Sequence, residues 1–295
     1  MHLGNLACAL VSYLSAKSKG GTWLLRIEDL DPGRSRYEYA RILEEDLHTL
    51  GLDWDEGGLD AADADGESYC QSKRSHLYAQ ALEKLSPLTY PCYCSRADIL
   101  ASQAPHESDG GIVYGGTCRP KEGLLRQTPP GDRPHSTRII VPDREICFED
   151  GIFGAQRINL TRECGDFIVR RSDGVFAYQL AVVVDDALMG VSEVVRGRDL
   201  LRSTALQLYL YECLGLRAPQ FFHLPLLCAP DGRRLCKRDE AMDIGRMLQS
   251  HSPQEITGSL AALLGIIQKA EPCRPCDLIP LFDCSVLPRE DVAAF

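Results

Sequence analysis

Thr22-Trp23-Leu24-Leu25-Arg26-Ile27 is a β-rich stretch that runs directly into the acidic turn Glu28-Asp29-Leu30-Asp31-Pro32. Upstream of it, apolar residues recur at steps of three and four between Leu6 and Lys17, and Gly20-Gly21 ends the pattern, which predicts an amphipathic helix. Downstream, Tyr37 to Leu50 predicts a second helix. Because helices and strands alternate here, the sequence predicts an α/β fold with a parallel sheet.

The rest of the chain continues this alternation, with an interruption rich in Cys, Gly and Pro after residue 90. We expect helices at Ser75–Leu85, Phe176–Met189, Leu200–Leu214 and Gln254–Leu264, and strands at Thr137–Val141, Ile146–Glu149, Phe167–Arg170 and Glu193–Arg196. Four segments follow: 1–90, the first half of a Rossmann-like core; 91–135, a small insert; 136–245, the second half of the core; and 246–295, a C-terminal helical tail.

Composition and charge exclude several classes of protein. The chain is 44% hydrophobic and 25% charged, which excludes collagen-like and wholly disordered proteins. Its longest strongly apolar run, Leu180–Val184, is far below the ~18 residues that span a bilayer, so we expect no transmembrane segment. A net charge of −10 argues against nucleic-acid binding by the whole surface, but allows a local basic groove. Thirteen unevenly spaced cysteines favour a reducing cytoplasm over a disulfide framework.

Two short motifs have the chemistry of phosphate binding. His2-Leu3-Gly4-Asn5 stands at the start of a predicted helix, where backbone N–H groups and the helix dipole favour an anion. Leu235-Cys236-Lys237-Arg238 follows a Gly-containing turn and offers two adjacent cations, which would neutralise a departing pyrophosphate. Each motif alone is weak, since a basic loop is usually a solvated turn.

The order of these motifs, with the acidic turn between them, resembles class I aminoacyl-tRNA synthetases of the glutamyl branch. The likeness continues through three further stretches: Gly174–Asp186, Glu193–Leu200 and Phe222–Leu226. A full glutamyl-tRNA synthetase would continue with a helical anticodon-binding domain, for which too few residues follow. The chain is therefore most similar to the shortened family that attaches glutamate to queuosine in tRNA(Asp).

This resemblance implies a function, a fold and partners. The function is activation of L-glutamate to glutamyl-adenylate by ATP with Mg²⁺, and transfer of glutamate to the queuosine base at the first anticodon position of tRNA(Asp). The fold is a Rossmann-like parallel sheet with an inserted zinc module, a small β-rich insert and no anticodon-binding domain. We expect a cytoplasmic monomer that contacts RNA through a limited basic face: Arg196, Arg198, Arg202, Arg233, Arg234 and Arg238.

The resemblance also assigns site residues. His2, Gly4 and Asn5 would contact ATP, with Asn5 replacing the motif's usual histidine, and Lys237 would stabilise the pyrophosphate. Around the amino acid, Glu28 would bind the ammonium, Tyr178 would shape the pocket and Arg196 would bind a carboxylate, for which its planar fork is suited. Without the family pattern, simpler interpretations remain open: Glu28 as a helix-capping acid, Tyr178 as a core residue and Arg196 as a surface ion pair.

The insert contains a candidate zinc site. From the residues alone, Cys92-x-Cys94 with Cys118 fits a structural zinc site about as well as reduced, buried thiols. The family resemblance implies four ligands, Cys92, Cys94, Tyr114 and Cys118, with water as an alternative to Tyr114. A rival cluster, Cys273, Cys276 and Cys284, lacks a convincing fourth ligand.

Two other functions stay open at this stage. The chain could be a minimal glutamyl-tRNA synthetase that charges the tRNA 3′ end, or a non-catalytic relic that binds tRNA or protein. The family normally opens with a strand before the His-x-Gly motif, whereas here His2 follows Met1 directly. We therefore expect the natural chain to be longer at its N-terminus.

Overall fold

The computed structural model describes residues 1–33, 35–95, 97–98, 113–120, 133–229 and 243–294. Its helices are α1 (Leu3–Ser18), α2 (Tyr37–Thr49), α3 (Ser75–Lys84), α4 (Tyr178–Leu188), α5 (Leu201–Leu214), α6 (Ile244–Met247), α7 (Pro253–Leu263) and α8 (Pro275–Leu278). Its strands are β1 (Leu24–Leu25), β2 (Glu56–Gly57), β3 (Thr89–Cys92), β4 (Ser136–Ile139), β5 (Glu145–Asp150), β6 (Gly154–Asn159), β7 (Phe167–Arg170), β8 (Glu193–Gly197), β9 (Gln220–Leu224), β10 (Leu227–Cys228) and β11 (Val292–Ala293).

The strands form a mixed arrangement, and the prediction of a parallel sheet is wrong in this respect. A four-stranded sheet has the order β6-β5-β9-β8, in which β9 is parallel to both neighbours and β6 is antiparallel to β5. β1 and β2 form a parallel pair, while β3, β4 and β7 form an antiparallel sheet. The short connection between β5 and β6 favours antiparallel pairing, since a parallel pair needs a long crossover. Gly154 adopts a positive φ of 70° at this turn.

The predicted helices are confirmed to within three residues at each end, the largest difference being the start of α1 at Leu3 rather than Leu6. The strand predicted at Thr22–Ile27 is shorter, because only Leu24 and Leu25 pair with β2. The Trp23 N–H instead donates to the Asp55 carboxylate at 2.6 Å, so a side chain takes the place of a strand partner there. β6 and β9 were not predicted as strands.

Two large hydrophobic clusters hold most of the elements together. The second cluster packs α3, α4 and α5 against β5 and β7. The first cluster surrounds α1 and includes residues from the end of the chain: Ile256, Leu260, Leu264, Leu278 and Leu287. β11 also pairs in parallel with β10. Residues 253–294 therefore bury apolar surface in the same core as α1.

A cavity of about 790 Å³ lies between α1, β1 and β8. Arg26, Glu28 and Asp186 line it together with apolar residues of the surrounding elements. Across the described ranges, no helix combines the length and the apolar character that crossing a membrane requires.

Candidate active site

His2 forms the N-cap of α1. Its Nδ1 accepts the backbone N–H of Asn5 at 3.3 Å, while its own backbone is extended. A Cβ atom built on Gly4 would lie 3.2 Å from His2 Cε1, so glycine leaves room for the imidazole over the first turn. The local structure thus explains His-x-Gly at this helix start, where backbone N–H groups attract an anion.

The described chain resumes after Lys237 at Asp243, which lies beside this helix start. Asp243 forms a β-bridge with His2, and the Ile244 N–H donates to the Met1 carbonyl at 2.8 Å. Lys237 and Cys236 themselves lie outside the described residues, as do Arg233, Arg234 and Arg238. Their predicted roles therefore stay predictions.

Arg196 is a buried cation held by neutral groups. It is 8% exposed, and its Nε–H donates to His223 Nε2 at 3.1 Å. One Nη donates to Thr204 Oγ1 at 2.7 Å and to the Leu200 carbonyl at 3.5 Å. Burial lowers the pKa of Arg196, and the neighbouring Tyr178 hydroxyl opposes that shift. The charged form is therefore desolvated without a carboxylate that directly neutralises it among the described residues.

Two other buried arginines show the usual arrangement. Arg74 donates to Asp185 at 2.7 Å, and Arg26 donates to Asp186 at 2.6 Å. Buried charges are normally paired in this way, because an unpaired charge has a high desolvation cost. Arg196 departs from that rule, which is what a binding site for an external anion requires.

Glu28 and Tyr178 share the surroundings of Arg196. Arg26 connects Glu28 to Asp186, since its second Nη donates to Glu28 Oε1 at 3.1 Å. Tyr178 begins α4 and is 37% exposed. Burial raises the pKa of its phenol, and the charge of Glu28 acts in the same direction while Arg196 opposes it. The charges of Glu28 and Arg196 therefore both act on the Tyr178 phenol.

The simpler interpretations of these three residues do not fit the structure. Glu28 pairs with Arg26 and caps no helix, Tyr178 is partly exposed, and Arg196 is a buried residue rather than a surface ion pair. Because Arg196 is buried, it does not belong to an exposed basic face, and this part of the predicted RNA-binding face is wrong. Arg198 pairs with Asp291 at 2.7 Å, and its place on such a face stays a prediction.

The predicted zinc ligands lie together. The sulfur atoms of Cys92, Cys94 and Cys118 all lie within 4.8 Å of one another. The Tyr114 hydroxyl lies 3.5 Å from Cys92 Sγ and 3.7 Å from Cys94 Sγ, and Cys94 Sγ lies 3.6 Å from Cys118 Sγ. Cys273, Cys276 and Cys284 form no comparable group within the described chain.

These separations fit a tetrahedral zinc ion. With zinc–sulfur bonds of about 2.3 Å and a zinc–oxygen bond of about 2.0 Å, a tetrahedron has sulfur–sulfur edges of about 3.8 Å and sulfur–oxygen edges of about 3.5 Å. The Cys118 N–H also donates to the Tyr114 oxygen at 2.7 Å, which supports an electron-rich phenol oxygen. The donor set therefore suits zinc, with Tyr114 in the position of the fourth ligand.

Arg138 supplies positive charge next to this cluster. It is buried, and its Nε–H donates to Cys92 Sγ at 3.3 Å. Burial raises the pKa of Cys92, but its hydrogen bonds with Tyr114 and Arg138 outweigh this effect and leave that pKa below its usual value. Burial raises the pKa of Cys94 to about 11. Cys92 and Cys94 therefore differ in the direction of their pKa shifts although both belong to one cluster.

Several residues that support these sites were not predicted from the sequence. Asp150 and His223 lie behind Arg196, and Arg138 lies behind the cysteines. The signals available were a histidine inside the apolar run Phe221–Leu226 and an arginine inside a β-rich run. Polar residues in such positions are unusual, but a sequence alone does not identify their partners.

Comparisons with known proteins show which family this chain belongs to. Residues 1–287 match the family "tRNA synthetases class I (E and Q), catalytic domain". The Glutamyl-Q tRNA(Asp) synthetase of Symbiobacterium thermophilum is 49% identical over 300 residues, covering 99% of this chain and 91% of that protein. Its counterpart in Nitratidesulfovibrio vulgaris is 46% identical over 296 residues, covering 98% of this chain and 90% of that protein.

A solved structure shares the fold. The crystal structure of glutamate-tRNA synthetase from Elizabethkingia anophelis matches with a TM-score of 0.80 and 25% identity. The match covers 100% of this chain and 66% of that one, so this chain spans about two thirds of its length. These findings confirm the resemblance predicted from the motifs. The chain belongs to the class I aminoacyl-tRNA synthetase family, in its group of glutamyl-Q tRNA(Asp) synthetases.

Proposed function

We propose that this protein is a ligase that activates L-glutamate with ATP and transfers it to the queuosine base of tRNA(Asp). The observation that carries the proposal is Arg196, a buried cation that only neutral groups contact directly within the described chain. A substrate carboxylate would complete this site. The names of the relatives at 46–49% identity supply the tRNA and the modified base.

Glutamate recognition follows from the chemistry of three side chains. The Arg196 fork binds a carboxylate with two parallel hydrogen bonds. Glu28 offers a negative charge to the substrate ammonium, and Tyr178 supplies a partly exposed aromatic wall. A neutral or cationic amino-acid side chain would leave Arg196 unpaired, which favours glutamate over glutamine.

Activation requires positioning more than acid–base chemistry. A glutamate carboxylate oxygen attacks the α-phosphorus of ATP, a new oxygen–phosphorus bond forms, and the bond to the leaving pyrophosphate breaks. His2, Gly4 and Asn5 would receive the phosphates at the start of α1, while Lys237, with Mg²⁺, would neutralise the pyrophosphate. Transfer to the queuosine base then releases AMP.

The zinc site has a structural role in this proposal. Cys92, Cys94, Tyr114 and Cys118 would hold one ion and fix the fold of an insert spanning residues 91–135, between core halves at 1–90 and 136–245. The tail at 246–295 completes the core. Thiolate ligands need reducing conditions, so we place the protein in the cytoplasm, where we expect it to act as a monomer.

A minimal glutamyl-tRNA synthetase is the second candidate, and the likeness to the Elizabethkingia anophelis structure favours it. The two functions differ in where glutamate is attached. We would incubate the protein with labelled glutamate, ATP and tRNA(Asp) that contains or lacks queuosine. The reaction is then repeated on tRNA(Asp) whose 3′-terminal adenosine has been removed enzymatically, which leaves the diol of queuosine intact. Label that requires queuosine and does not require the 3′-terminal adenosine supports the proposal.

Label that appears on queuosine-free tRNA and requires the 3′-terminal adenosine would instead show 3′-end charging. Arg196→Met provides the control for glutamate recognition, because it keeps the length of the side chain and removes the charge. No label under any condition would support the non-catalytic alternative.

A further inference from the structure

We infer that Asp150 and His223 position Arg196 by fixing which nitrogen of the His223 ring carries the proton. This inference deepens the proposed function and rests on it for its effect on glutamate binding. Neither residue touches the substrate in this account. Both act through Arg196 and are positioning residues.

The sheet register places the three residues side by side. Asp150 ends β5, His223 lies in β9 and Arg196 lies in β8, on three neighbouring strands. Arg196 is directly opposite His223, and Asp150 is opposite Phe221. His223 Nδ1 lies 2.6 Å from Asp150 Oδ2, and His223 Nε2 lies 3.1 Å from Arg196 Nε. A continuous series of hydrogen bonds therefore crosses the sheet from Asp150 through His223 to Arg196. We call these three residues the relay.

Only one tautomer of His223 fits this series of hydrogen bonds. An ionised carboxylate accepts hydrogen bonds and an arginine Nε–H donates them, so the ring must donate to Asp150 and accept from Arg196. The proton is therefore on Nδ1, and the lone pair on Nε2 faces Arg196. Thr204 Oγ1, 3.2 Å from Nε2, accepts from an Arg196 Nη at 2.7 Å and completes the support.

The burial of the pair keeps the ring neutral. His223 is 0% exposed and Asp150 is 2% exposed. Burial lowers the pKa of His223, although the hydrogen bond to Asp150 opposes this shift. A carboxylate in place of the neutral ring would form an internal ion pair with Arg196 and compete with the substrate. The relay therefore orients the guanidinium and leaves its charge for glutamate.

Asp150→Asn tests the tautomer with almost no change of shape. Asp150 Oδ1 accepts the N–H groups of Ile152 at 3.1 Å and Phe153 at 2.9 Å, so the carbonyl oxygen of an asparagine would stay there. Its amide nitrogen would then face His223 Nδ1 and donate to it. The ring proton would move to Nε2, where it would point at the Arg196 Nε–H.

We expect this variant to raise the KM for glutamate about tenfold or more in ATP–pyrophosphate exchange, with the KM for ATP unchanged. Asp166→Asn is the matched control. Asp166 is also a buried carboxylate that accepts a backbone N–H, from Val141 at 2.9 Å, but it contacts none of the relay residues. It should lower thermal stability without changing the KM for glutamate.

The tautomer can be read without any activity. In protein labelled with ¹⁵N-histidine, we expect the His223 resonances to show a protonated Nδ1 in the parent and a protonated Nε2 in Asp150→Asn. The His223→Gln spectrum assigns these signals among the seven histidines. Protonated Nε2 in the parent, or an unchanged tautomer together with an unchanged KM in Asp150→Asn, would overturn the inference.

A second pair of variants covers a failure of Asp150→Asn to fold. His223→Gln keeps an oxygen that can accept from Arg196, whereas His223→Leu removes every acceptor, so only His223→Leu should raise the KM for glutamate strongly. Equal effects of both variants would contradict the relay. If Arg196→Met also left the KM for glutamate unchanged, the proposed function itself would fail, while the NMR result would still report on the relay.

Discussion

Arg138 lies over the ring of Tyr114, with its guanidinium carbon 3.8 Å from the ring centroid. The same side chain donates to Cys92 Sγ and, through an Nη, to the Asp166 carbonyl at 2.7 Å. Three thiolates and a phenolate around one zinc ion would leave a net charge of −2, so a fixed neighbouring cation stabilises the ligand set. The cluster is thus supported from behind by a residue outside its motif.

Arg138→Met should lower zinc affinity about tenfold, the lower end of the range for residues that support metal ligands. Competition with a chromophoric chelator measures this affinity. Arg157→Met is the control, because Arg157 is an exposed arginine of β6 that pairs with Glu145 at 3.2 Å. Equal affinities of the parent and Arg138→Met would contradict the assigned role.

Tyr114→Phe tests the fourth ligand, because it keeps the ring beneath Arg138 and removes the oxygen. We expect the variant to bind zinc more weakly and to melt several degrees lower, as the parent does after chelator treatment, because metal binding contributes to folding. Tyr90→Phe is the control, since Tyr90 is a buried tyrosine whose hydroxyl donates to Asp166 at 2.7 Å. If zinc affinity were the same in the parent and Tyr114→Phe, water would be the fourth ligand.

Gly4→Ala tests the start of α1 as the ATP site. The new methyl would approach the His2 ring to 3.2 Å and displace it, so we expect a higher KM for ATP and an unchanged KM for glutamate. Ser18→Ala, at the opposite end of the same helix, controls for general effects on α1. A rise in the KM for glutamate alone would place ATP elsewhere.

The relay predicts a pH dependence with a definite sign. His223 has a native pKa below its ordinary 6.5, and the charged groups that act on it are Asp150 in β5, Arg196 in β8 and Asp199 before α5. The stabilisation from the neutral ring is therefore complete above pH 6.5 and is lost as the pH falls through the native pKa. We expect the KM for glutamate to be constant above pH 6.5 and to rise only below it.

His223→Gln provides the control for this profile, because glutamine does not titrate in that range. Its KM for glutamate should vary less with pH than that of the parent. A parent profile that rises toward alkaline pH, or that matches the His223→Gln profile, would be incompatible with the relay.

The sequence predicts the helices of this structure better than it predicts the pairing of its strands. Periodic apolar residues predict α1, α2 and α4, because a helix is specified by residues close together in the chain. The antiparallel β6 escapes such reasoning, since Gly-Ala-Gln-Arg-Ile-Asn has little intrinsic strand character and pairs through its turn with β5. The motifs also predict Glu28, Tyr178 and Arg196 as site residues, and their role stays a prediction.

The residues behind the site could not be predicted in the same way. Asp150 and His223 are 73 residues apart in sequence, and only the register of β5, β9 and β8 brings them together. Likewise, the cysteines signal a metal, but the position of Arg138 over Tyr114 depends on the pairing of β3 with β4. Contacts of this kind are set by tertiary structure.

The contrast between Arg196 and Arg74 predicts opposite patterns of stability and function. Arg74→Met leaves the buried Asp185 without its cation and should cost about 3–5 kcal/mol of unfolding free energy. Arg196→Met leaves no carboxylate unpaired, so we expect it to cost far less or to stabilise the protein. Denaturant unfolding measures both, and equal losses would contradict the assignment of Arg196 as a cation kept for the substrate.

Glutamate-dependent ATP–pyrophosphate exchange, compared between the parent protein and Arg196→Met, tests the central claim most directly. We predict exchange in the parent that requires glutamate and is not supported by glutamine, and a loss of at least about a hundredfold in kcat/KM for glutamate in a variant that remains folded. Equal kcat/KM values for the two proteins would show that Arg196 does not bind the substrate carboxylate, and would contradict the account.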